Sequence, residues 1–480
     1  MDSEMKSKKY TYFSERNYAG KGYKIDEKVV DYWKKVLGDN VFNNIEKVYK
    51  IRPEIIISDK DFELAAEPKE ILQLSELFHK GLGKNVKYKL KIGEQEAFVF
   101  DRFFDYFIKF GIALFDEQDI EIDECIMDNY IDNILRQVSK ISIGTLMFEM
   151  YLCKEQGLLV GNNEKEEYVY YNTHFLGNKK YINELFEIYP CLERMIFESI
   201  FYLVNNYRDL LIRLKKDHNY LVEQLCNGKI FNKVVKMQSD ISDSHKRGKT
   251  VSVLTFDNDI SVVYKPRSLK GEKAYQDFLL YVSQGSTLKT KTFKIIDCGN
   301  YGWEEFVESK PCVDMQQLRN YYYRFGVLIF QNYILNANDL HEENVIAYGE
   351  YPIVIDAETI IDNHIKLSEQ NSREIINERI RDSVLFSGLL PHYRFSNKGK
   401  GIDMSAIMGK EGDEYPILIP RIVDIGTSNM HYEYVHPIKT ANNNLATLNG
   451  KFIAPAVFIT EIDQGNTSRK LSRRQRYLKI

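Results

Sequence analysis

The chain has 480 residues, with 65 Lys and Arg against 69 Asp and Glu, and a formal charge of -4 at pH 7. A chain of this length exceeds the size of most single domains, so two or three domains are expected. The near balance of charge argues against a nucleic-acid partner or an anionic membrane surface, because both need clustered positive charge.

The cysteines and the N-terminus indicate the compartment. The six cysteines are scattered without a CxxC pair, which is typical of neither a disulfide framework nor a zinc site. The first residues are charged, and no apolar run approaches the length of a signal sequence or a membrane span. These features predict a cytoplasmic protein without a membrane span.

Residues 1–225 predict a helical N-terminal region. Apolar residues follow helical spacing from Val29 to Leu37, and an aromatic run from Phe98 to Phe115 predicts a buried helix. Further helical patterns follow one another around Pro190. The simplest interpretation of this region is a helical packing domain without chemistry of its own.

Near Gly228 the spacing changes from helical to alternating, which predicts a second domain over 226–310. Two β-branched runs, 251–256 and 260–265, predict a hairpin that ends at Lys265. The elements predicted after it are a helix over 271–282, a strand over 293–296 and a hinge over 303–307.

A third domain is predicted over 311–465, beginning with an apolar helix over 315–335. Asp339 and Asn344 follow in a loop, and Asp356 follows the next β-like run. In the kinase template an Asp orients the acceptor hydroxyl, an Asn five positions on holds a metal ion, and a second Asp beyond the next strand holds Mg²⁺. The order of elements therefore predicts an α+β protein with a helical N-terminal region and a bilobal kinase-like core.

Two residues near this set have competing interpretations. Lys265 is predicted to pair with nucleotide phosphates, the alternative being a surface lysine at a hairpin end. Glu272 is either its carboxylate partner or an exposed first-turn residue that suits the helix dipole.

His341 lies two residues after Asp339, whereas protein kinases place their histidine two residues before the Asp. This arrangement favours a lipid-kinase-like core, with a structural histidine as the alternative interpretation of His341. The neighbouring Glu342 and Glu343 are expected to be solvated.

Several motifs resemble the dehydratase domain of class II lanthipeptide synthetases (LanM type). The motifs are Asp243-Ser244-His245, Val263-Tyr264-Lys265-Pro266-Arg267-Ser268-Leu269, Asn338-Asp339-Leu340-His341-Glu342-Glu343-Asn344, Asp356-Ala357-Glu358-Thr359 and Ser387-Gly388-Leu389-Leu390-Pro391. The resemblance implies ATP and Mg²⁺ as cofactors and a lanthipeptide precursor, with its leader, as partner. It also implies phosphorylation of Ser and Thr in that peptide, followed by elimination of the phosphate to give dehydroalanine or dehydrobutyrine.

The resemblance assigns roles by position. The residues that match the phosphorylation set are Lys265, Asp339, His341, Asn344 and Asp356, with Asn344 and Asp356 as metal ligands. Asp243 and His245 match positions associated with elimination, which needs a base for the α-proton and stabilisation of the departing phosphate. Which of the two is the base stays open, and the alternative is that they only order a polar loop.

The resemblance ends near Gly465, and residues 466–480 form a basic tail without an acidic residue. The family's later Arg and Thr for elimination, and its zinc-binding cyclase domain, have no match here. These departures predict a truncated enzyme that phosphorylates with little elimination or cyclisation and binds no zinc. The tail is either out-of-frame sequence or a natural disordered terminus.

Two other functions remain open from the sequence. One is a kinase that acts on another small-molecule or protein acceptor. The other is a non-catalytic remnant that binds a leader peptide.

Overall fold

A computed structural model describes most of the chain. The described residues are 69–88, 99–116, 121–239, 247–283, 288–360, 372–391, 393–395, 401–408 and 411–467, with the shorter pieces 12, 15–17, 27–38, 42, 44–45, 47, 52–54 and 63–64. They combine a helical N-terminal region with small antiparallel sheets, which confirms the α+β class. Asp243 and His245 lie outside the described residues, as does most of the basic tail.

The chain divides into two compact units. The first comprises 1–212, 246–248 and 424–430, and the second comprises 213–245, 249–423 and 431–480. The predicted domain limits at 225, 310 and 465 stay predictions.

The first unit is mainly helical. Its elements are β1 (Arg16–Asn17), α1 (Glu27–Leu37), β2 (Glu63–Leu64), α2 (Lys69–Lys80), α3 (Asp101–Asp116), α4 (Glu124–Glu155), α5 (Glu164–Tyr170), a π-helical turn (Tyr171–Phe175), α6 (Lys179–Ile188) and the first part of α7 (Pro190–Gln224). The helices predicted before Gly38, in the aromatic run and on both sides of Pro190 are confirmed.

Aromatic packing holds the core of this unit together. Phe107 stacks on Phe78 with their ring centroids 5.2 Å apart, while Phe110 and Phe197 meet Phe78 edge to face. All three contacts join different helices, and aromatic pairs of this kind contribute about 0.5–1.5 kcal/mol each beyond their buried area. The aromatic run of α3 is therefore core.

The second unit begins with a five-stranded antiparallel sheet, in the order β3-β4-β5-β7-β6. Its elements are β3 (Val234–Gln238), β4 (Ser252–Phe256), β5 (Ser261–Lys265), α8 (Lys270–Ser283), β6 (Ile295–Asp297) and β7 (Gly302–Glu305). The hairpin and the helix predicted from the sequence are confirmed. The hinge prediction is wrong for Trp303–Glu305, because these residues form β7 and pair with both β5 and β6.

The remainder of this unit surrounds one long helix. Its elements are α9 (Met315–Leu335), β8 (Val345–Tyr348), β9 (Tyr351–Val354), α10 (Ser372–Arg381), a 3₁₀ turn (Val384–Ser387), β10 (Tyr393–Phe395), β11 (Gly401–Asp403), β12 (Ile419–Val423), β13 (His431–Val435), β14 (Thr447–Leu448), β15 (Lys451–Phe452), a second 3₁₀ turn (Pro455–Phe458) and α11 (Ile459–Thr467). The predicted helix α9 is confirmed and carries much of the apolar core.

Local interactions determine where α9 begins and ends. Asp314 caps the N-terminus, because its Oδ1 accepts a hydrogen bond from the amide of Gln317 at 2.7 Å. At the other end, Asn336 adopts the left-handed conformation with φ 53°, which ends the helix. The chain therefore leaves α9 directly into the loop that carries Asp339.

Helices α9 and α11 approach each other through two glycines. A Cβ on Gly326 would overlap the carbonyl of Ile462, and one on Gly465 would overlap the carbonyl of Tyr323. Tyr322 also stacks on Phe458, with ring centroids 4.5 Å apart. The close approach therefore depends on the absence of a side chain at both glycines.

We expect Gly326→Ala to lower the free energy of unfolding by about 1–3 kcal/mol, because the helices must separate to admit the methyl group. The matched control is Gly271→Ala in α8, where an added Cβ meets no atom within 4 Å. That change should raise the free energy of unfolding by about 0.4–1 kcal/mol, because alanine reduces the conformational entropy of the unfolded chain. Urea unfolding of both variants tests this pair, and equal effects would contradict the close-approach argument.

No helix in the described part of the chain combines the length and the apolar character needed to cross a lipid bilayer.

Candidate active site

The loop after α9 has a backbone shape that exposes Asp339. Asp339 has φ 63°, in the left-handed region, and its side chain is 57% exposed. Asp and Asn tolerate this conformation better than most other residues. The carboxylate therefore stands at the surface of the loop, where an acceptor could reach it.

Backbone hydrogen bonds from distant segments hold the loop on several sides. Asn338 N donates to Thr359 O at 3.1 Å, and Leu340 N donates to Ser387 O at 2.9 Å. Glu342 N donates to Met404 O at 3.0 Å. Ser387 begins one of the motifs that contributed to the family resemblance. Its carbonyl thus helps to fix the conformation of the loop.

His341 lies beside Asp339, with its Nε2 3.7 Å from Asp339 Oδ1. Its Nδ1 accepts a hydrogen bond from the amide of Glu343 at 3.2 Å, which leaves the proton of a neutral ring on Nε2. The arrangement directs the N–H of the ring toward the side of the loop that carries the Asp339 carboxylate.

Asn344 joins this loop to the hairpin β8–β9. Its Nδ2 donates to Asp339 O at 2.8 Å, and its backbone carbonyl accepts from Ile355 N at 3.0 Å. Because the hairpin pairs Val345 with Val354, its open end brings Asn344 and Asp356 to neighbouring positions. Since Nδ2 is bound to a carbonyl, the amide oxygen Oδ1 is the atom of Asn344 suited to a cation.

The end of β5 reaches the same place. Lys265 is 4% exposed, and its Nζ donates to Ile355 O at 2.9 Å. Two residues further on, a guanidinium nitrogen of Arg267 lies 3.0 Å from Asp356 Oδ1. The end of β5 therefore lies beside the segment that carries Asp356, with Lys265 on Ile355 and Arg267 on Asp356.

Arg267 has no role in the sequence prediction, yet it lies at the centre of the acidic groups. It forms ion pairs with Glu272, Asp356 and Glu358. Burial by itself lowers the pKa of the guanidinium, but the surrounding carboxylates outweigh it and the net shift is upward. Arg267 thus remains charged and links the start of α8 to the end of β9.

Glu272 is buried rather than an exposed first-turn residue. It is 3% exposed, and its Oε1 is 4.0 Å from Lys265 Nζ while it pairs with Arg267. Glu304 lies nearer to the lysine, with Oε2 3.0 Å from Nζ. Burial raises the pKa of the Glu304 carboxyl to about 7, against the lowering effect of Lys265.

The sequence prediction missed Glu304. No local sequence signal identifies it, because Glu304 comes next to Lys265 only when β7 pairs with β5.

The site contains more negatively charged side chains than positively charged ones. The two cations Lys265 and Arg267 face four carboxylates, which belong to Glu272, Glu304, Asp356 and Glu358. Among the residues with a described position, no group of three or more His, Cys, Asp or Glu is arranged to hold a metal ion. An excess of carboxylates favours the approach of a cation.

Glu342 was expected to be solvated, and this expectation is wrong. It is 7% exposed, and its Oε2 lies 2.5 Å from Lys439 Nζ, which is itself 3% exposed. Burial raises the pKa of the Glu342 carboxyl, and Lys439 opposes this rise. Lys439 also donates to Asp403 O at 2.5 Å, so it joins the loop to β11. Glu343 is exposed, as expected.

The predicted residues of this site therefore form one connected set. Ile355 links Lys265 to Asn344, and Asn344 contacts Asp339, which lies beside His341. Arg267 links Glu272 to Asp356. Asp243 and His245 cannot be placed in it, because they lie outside the described residues.

Two comparisons relate the chain to known proteins, and the family model among them includes every placed residue of this set. A family model described as "Domain of unknown function (DUF4135)" matches residues 189–477. The Lacticin 481/lactococcin biosynthesis protein LcnDR2 of Lactococcus lactis subsp. lactis is 32% identical over 324 residues, which is 63% of this chain and 33% of that protein. The chain thus spans about a third of the length of this relative.

Proposed function

Since the chain belongs to the DUF4135 family and its motifs resemble those of class II lanthipeptide synthetases, we propose that it catalyses ATP-dependent dehydration of a lanthipeptide precursor. The first step is phosphorylation of a Ser or Thr hydroxyl in that peptide. The observation that carries the proposal is the series of hydrogen bonds from Lys265 through Ile355 and Asn344 to Asp339, with Asp356 next to Ile355 in the chain and paired with Arg267.

The donor atoms of the site fit Mg²⁺. Asn344 and Asp356 offer an amide and a carboxylate oxygen at the open end of one hairpin. Mg²⁺ is commonly held by one or two carboxylates, with substrate phosphates and water completing its oxygen ligands. When bound, the ion would neutralise charge on the phosphates of ATP.

The protein's own residues supply the remaining parts of the transfer. Lys265 places an ammonium at the end of β5, where it pairs with nucleotide phosphates. Asp339, exposed on its loop, orients the acceptor hydroxyl and receives its proton as the hydroxyl oxygen bonds to the γ-phosphorus and the bond to ADP breaks. His341 holds a ring N–H beside Asp339.

The second step of the proposal is elimination. A base removes the α-proton, the bond from Cβ to the phosphate oxygen breaks, and phosphate leaves behind dehydroalanine or dehydrobutyrine. We assign this step to Asp243 and His245 on the family resemblance alone. The proposal therefore rests on geometry for phosphorylation and on resemblance for elimination.

The test combines nucleotide binding with mass spectrometry. The protein is titrated with ATP in the presence of Mg²⁺, and then incubated with ATP, Mg²⁺ and a lanthipeptide precursor encoded beside its gene. We expect ATP binding and phosphate adducts or water-loss products on the peptide. Leader binding without ATP binding would overturn the proposal and favour the non-catalytic alternative.

The variant Lys265→Met tests the role of the lysine, because it removes the ammonium and keeps an unbranched side chain of similar length. It should weaken ATP binding by about tenfold or more, as expected for the loss of a charge-assisted contact of about 1.5–3 kcal/mol. Isothermal titration calorimetry measures this change. Equal affinities in the two proteins would exclude the proposed role of Lys265.

A further inference from the structure

Glu304 and Lys265 occupy one face of the five-stranded sheet. In the pairing of β5 with β7, Glu304 lies opposite Val263, and Lys265 lies opposite Gly302. Residues two apart on a strand point to the same face, so the two side chains are diagonal neighbours there. Gly302 adds no side chain between them.

The distances from Lys265 Nζ show which of Glu304 and Glu272 is its hydrogen-bond partner. Lys265 Nζ lies 3.0 Å from Glu304 Oε2 and 4.0 Å from Glu272 Oε1. The first distance is that of a charge-assisted hydrogen bond and the second is at the limit of an ion pair. The Glu272 oxygen is bonded instead to Arg267. Of the two, Glu304 is therefore the hydrogen-bonded partner of Lys265, and Glu272 is a partner of Arg267.

Burial makes the position of Glu304 costly. The residue is 2% exposed, and within the described part of the chain its Oε1 has no hydrogen-bond partner. A buried acceptor without a partner has lost its hydrogen bonds to water without replacement, and this loss is larger when the group is charged. Packing alone does not require a carboxylate here, since an apolar side chain could fill the same space without this cost.

We propose that Glu304 is the positioning residue of Lys265: from the rigid sheet it holds the ammonium where nucleotide phosphates bind, while Glu272 serves to hold Arg267. This inference rests on the proposed function. The kinase template uses a carboxylate from a helix for this purpose. Here the carboxylate comes from a neighbouring strand, so the place of the lysine does not depend on the position of α8.

The experiment compares Glu304→Gln with Glu272→Gln in the full chain at pH 8. Each change removes a negative charge and keeps the shape of the side chain. The measured quantities are the dissociation constants of Mg-ATP and of adenosine, together with the unfolding temperature. Adenosine has no phosphate, so its affinity reports binding of the nucleoside part of ATP without the phosphate contact proposed for Lys265.

We expect Glu304→Gln to weaken Mg-ATP about tenfold, with adenosine affinity changed by less than about twofold. Glu272→Gln should weaken Mg-ATP less than Glu304→Gln does, because Glu272 Oε1 lies 4.0 Å from Lys265 Nζ. Glu304→Asp, which keeps the charge but shortens the reach, should fall between wild type and Glu304→Gln. A purely structural role would instead lower both affinities together with the unfolding temperature.

The outcomes distinguish this inference from the proposed function. A wild-type protein that does not bind Mg-ATP overturns both. A wild type that binds, with Glu304→Gln unchanged or with Glu272→Gln the weaker of the two, overturns only the role of Glu304. If Glu304→Gln fails to fold, the same comparison is made between Glu304→Asp and Glu272→Asp, and equal affinities there overturn it as well.

Discussion

Replacing Asp339 by asparagine is expected to lower the rate of phosphate transfer by a factor of about 10²–10⁴, the usual contribution of a residue that receives a proton in the transition state. The unfolding temperature should stay at the wild-type value, because the side chain is 57% exposed. Asparagine is chosen because position 339 has φ 63°, a conformation that asparagine tolerates and that would add strain for most other residues.

The control for this variant is Glu343→Gln on the same loop. Glu343 is exposed, and the change also removes one negative charge. Its rate of transfer to the precursor should remain within about twofold of wild type, since exposed charges away from the acceptor contribute little. Both rates are measured with radiolabelled ATP. Equal losses of transfer rate in the two variants would show that Asp339 acts only through its negative charge and not by receiving the proton of the acceptor.

The largest expected change in stability comes from Lys439→Met. Removing one partner of a buried ion pair leaves the other charge unpaired, and this costs about 3–5 kcal/mol. Lys439 and Glu342 are 3% and 7% exposed and lie 2.5 Å apart, so the pair meets the condition of burial. Equilibrium unfolding in urea measures the loss, and hydrogen exchange at the amides of Leu340 and Glu342 measures loosening of the loop.

Two further variants make this prediction specific. Lys439→Met combined with Glu342→Leu leaves no unpaired charge and should recover much of the lost stability. Lys180→Met removes a lysine whose pair with Glu184 is exposed and 3.5 Å long, and it should change stability by less than about 0.5 kcal/mol. A double variant as unstable as Lys439→Met would contradict the assignment to an unpaired Glu342.

Local sequence patterns account for the elements and for much of the candidate site. Helical periodicity predicted α9, and the alternation of β-branched residues predicted the hairpin that ends at Lys265. The order of Asp339, Asn344 and Asp356 predicted a common site, and the structure brings them together through the hairpin β8–β9. These features depend on neighbours within a few residues, which a single sequence displays directly.

Residues that act through distant partners could not be predicted in this way. Glu304 comes beside Lys265 only because β7 pairs with β5, while β6 lies on the other side of β7. Lys439 meets Glu342 from 97 positions away in the chain, and Ser387 supports Leu340 from another separate segment.

The residue types, order and spacing of the chain predicted the α+β class and the helices, and they are the basis of the chemistry proposed for the loop around Asp339. The register of the sheet decided which carboxylate lies next to Lys265. The packing of Lys439 against Glu342 decided that Glu342 is not solvated. The physical reason is that a side chain's charge is a property of its own residue, whereas its partner and its access to water arise only when separate segments pack together.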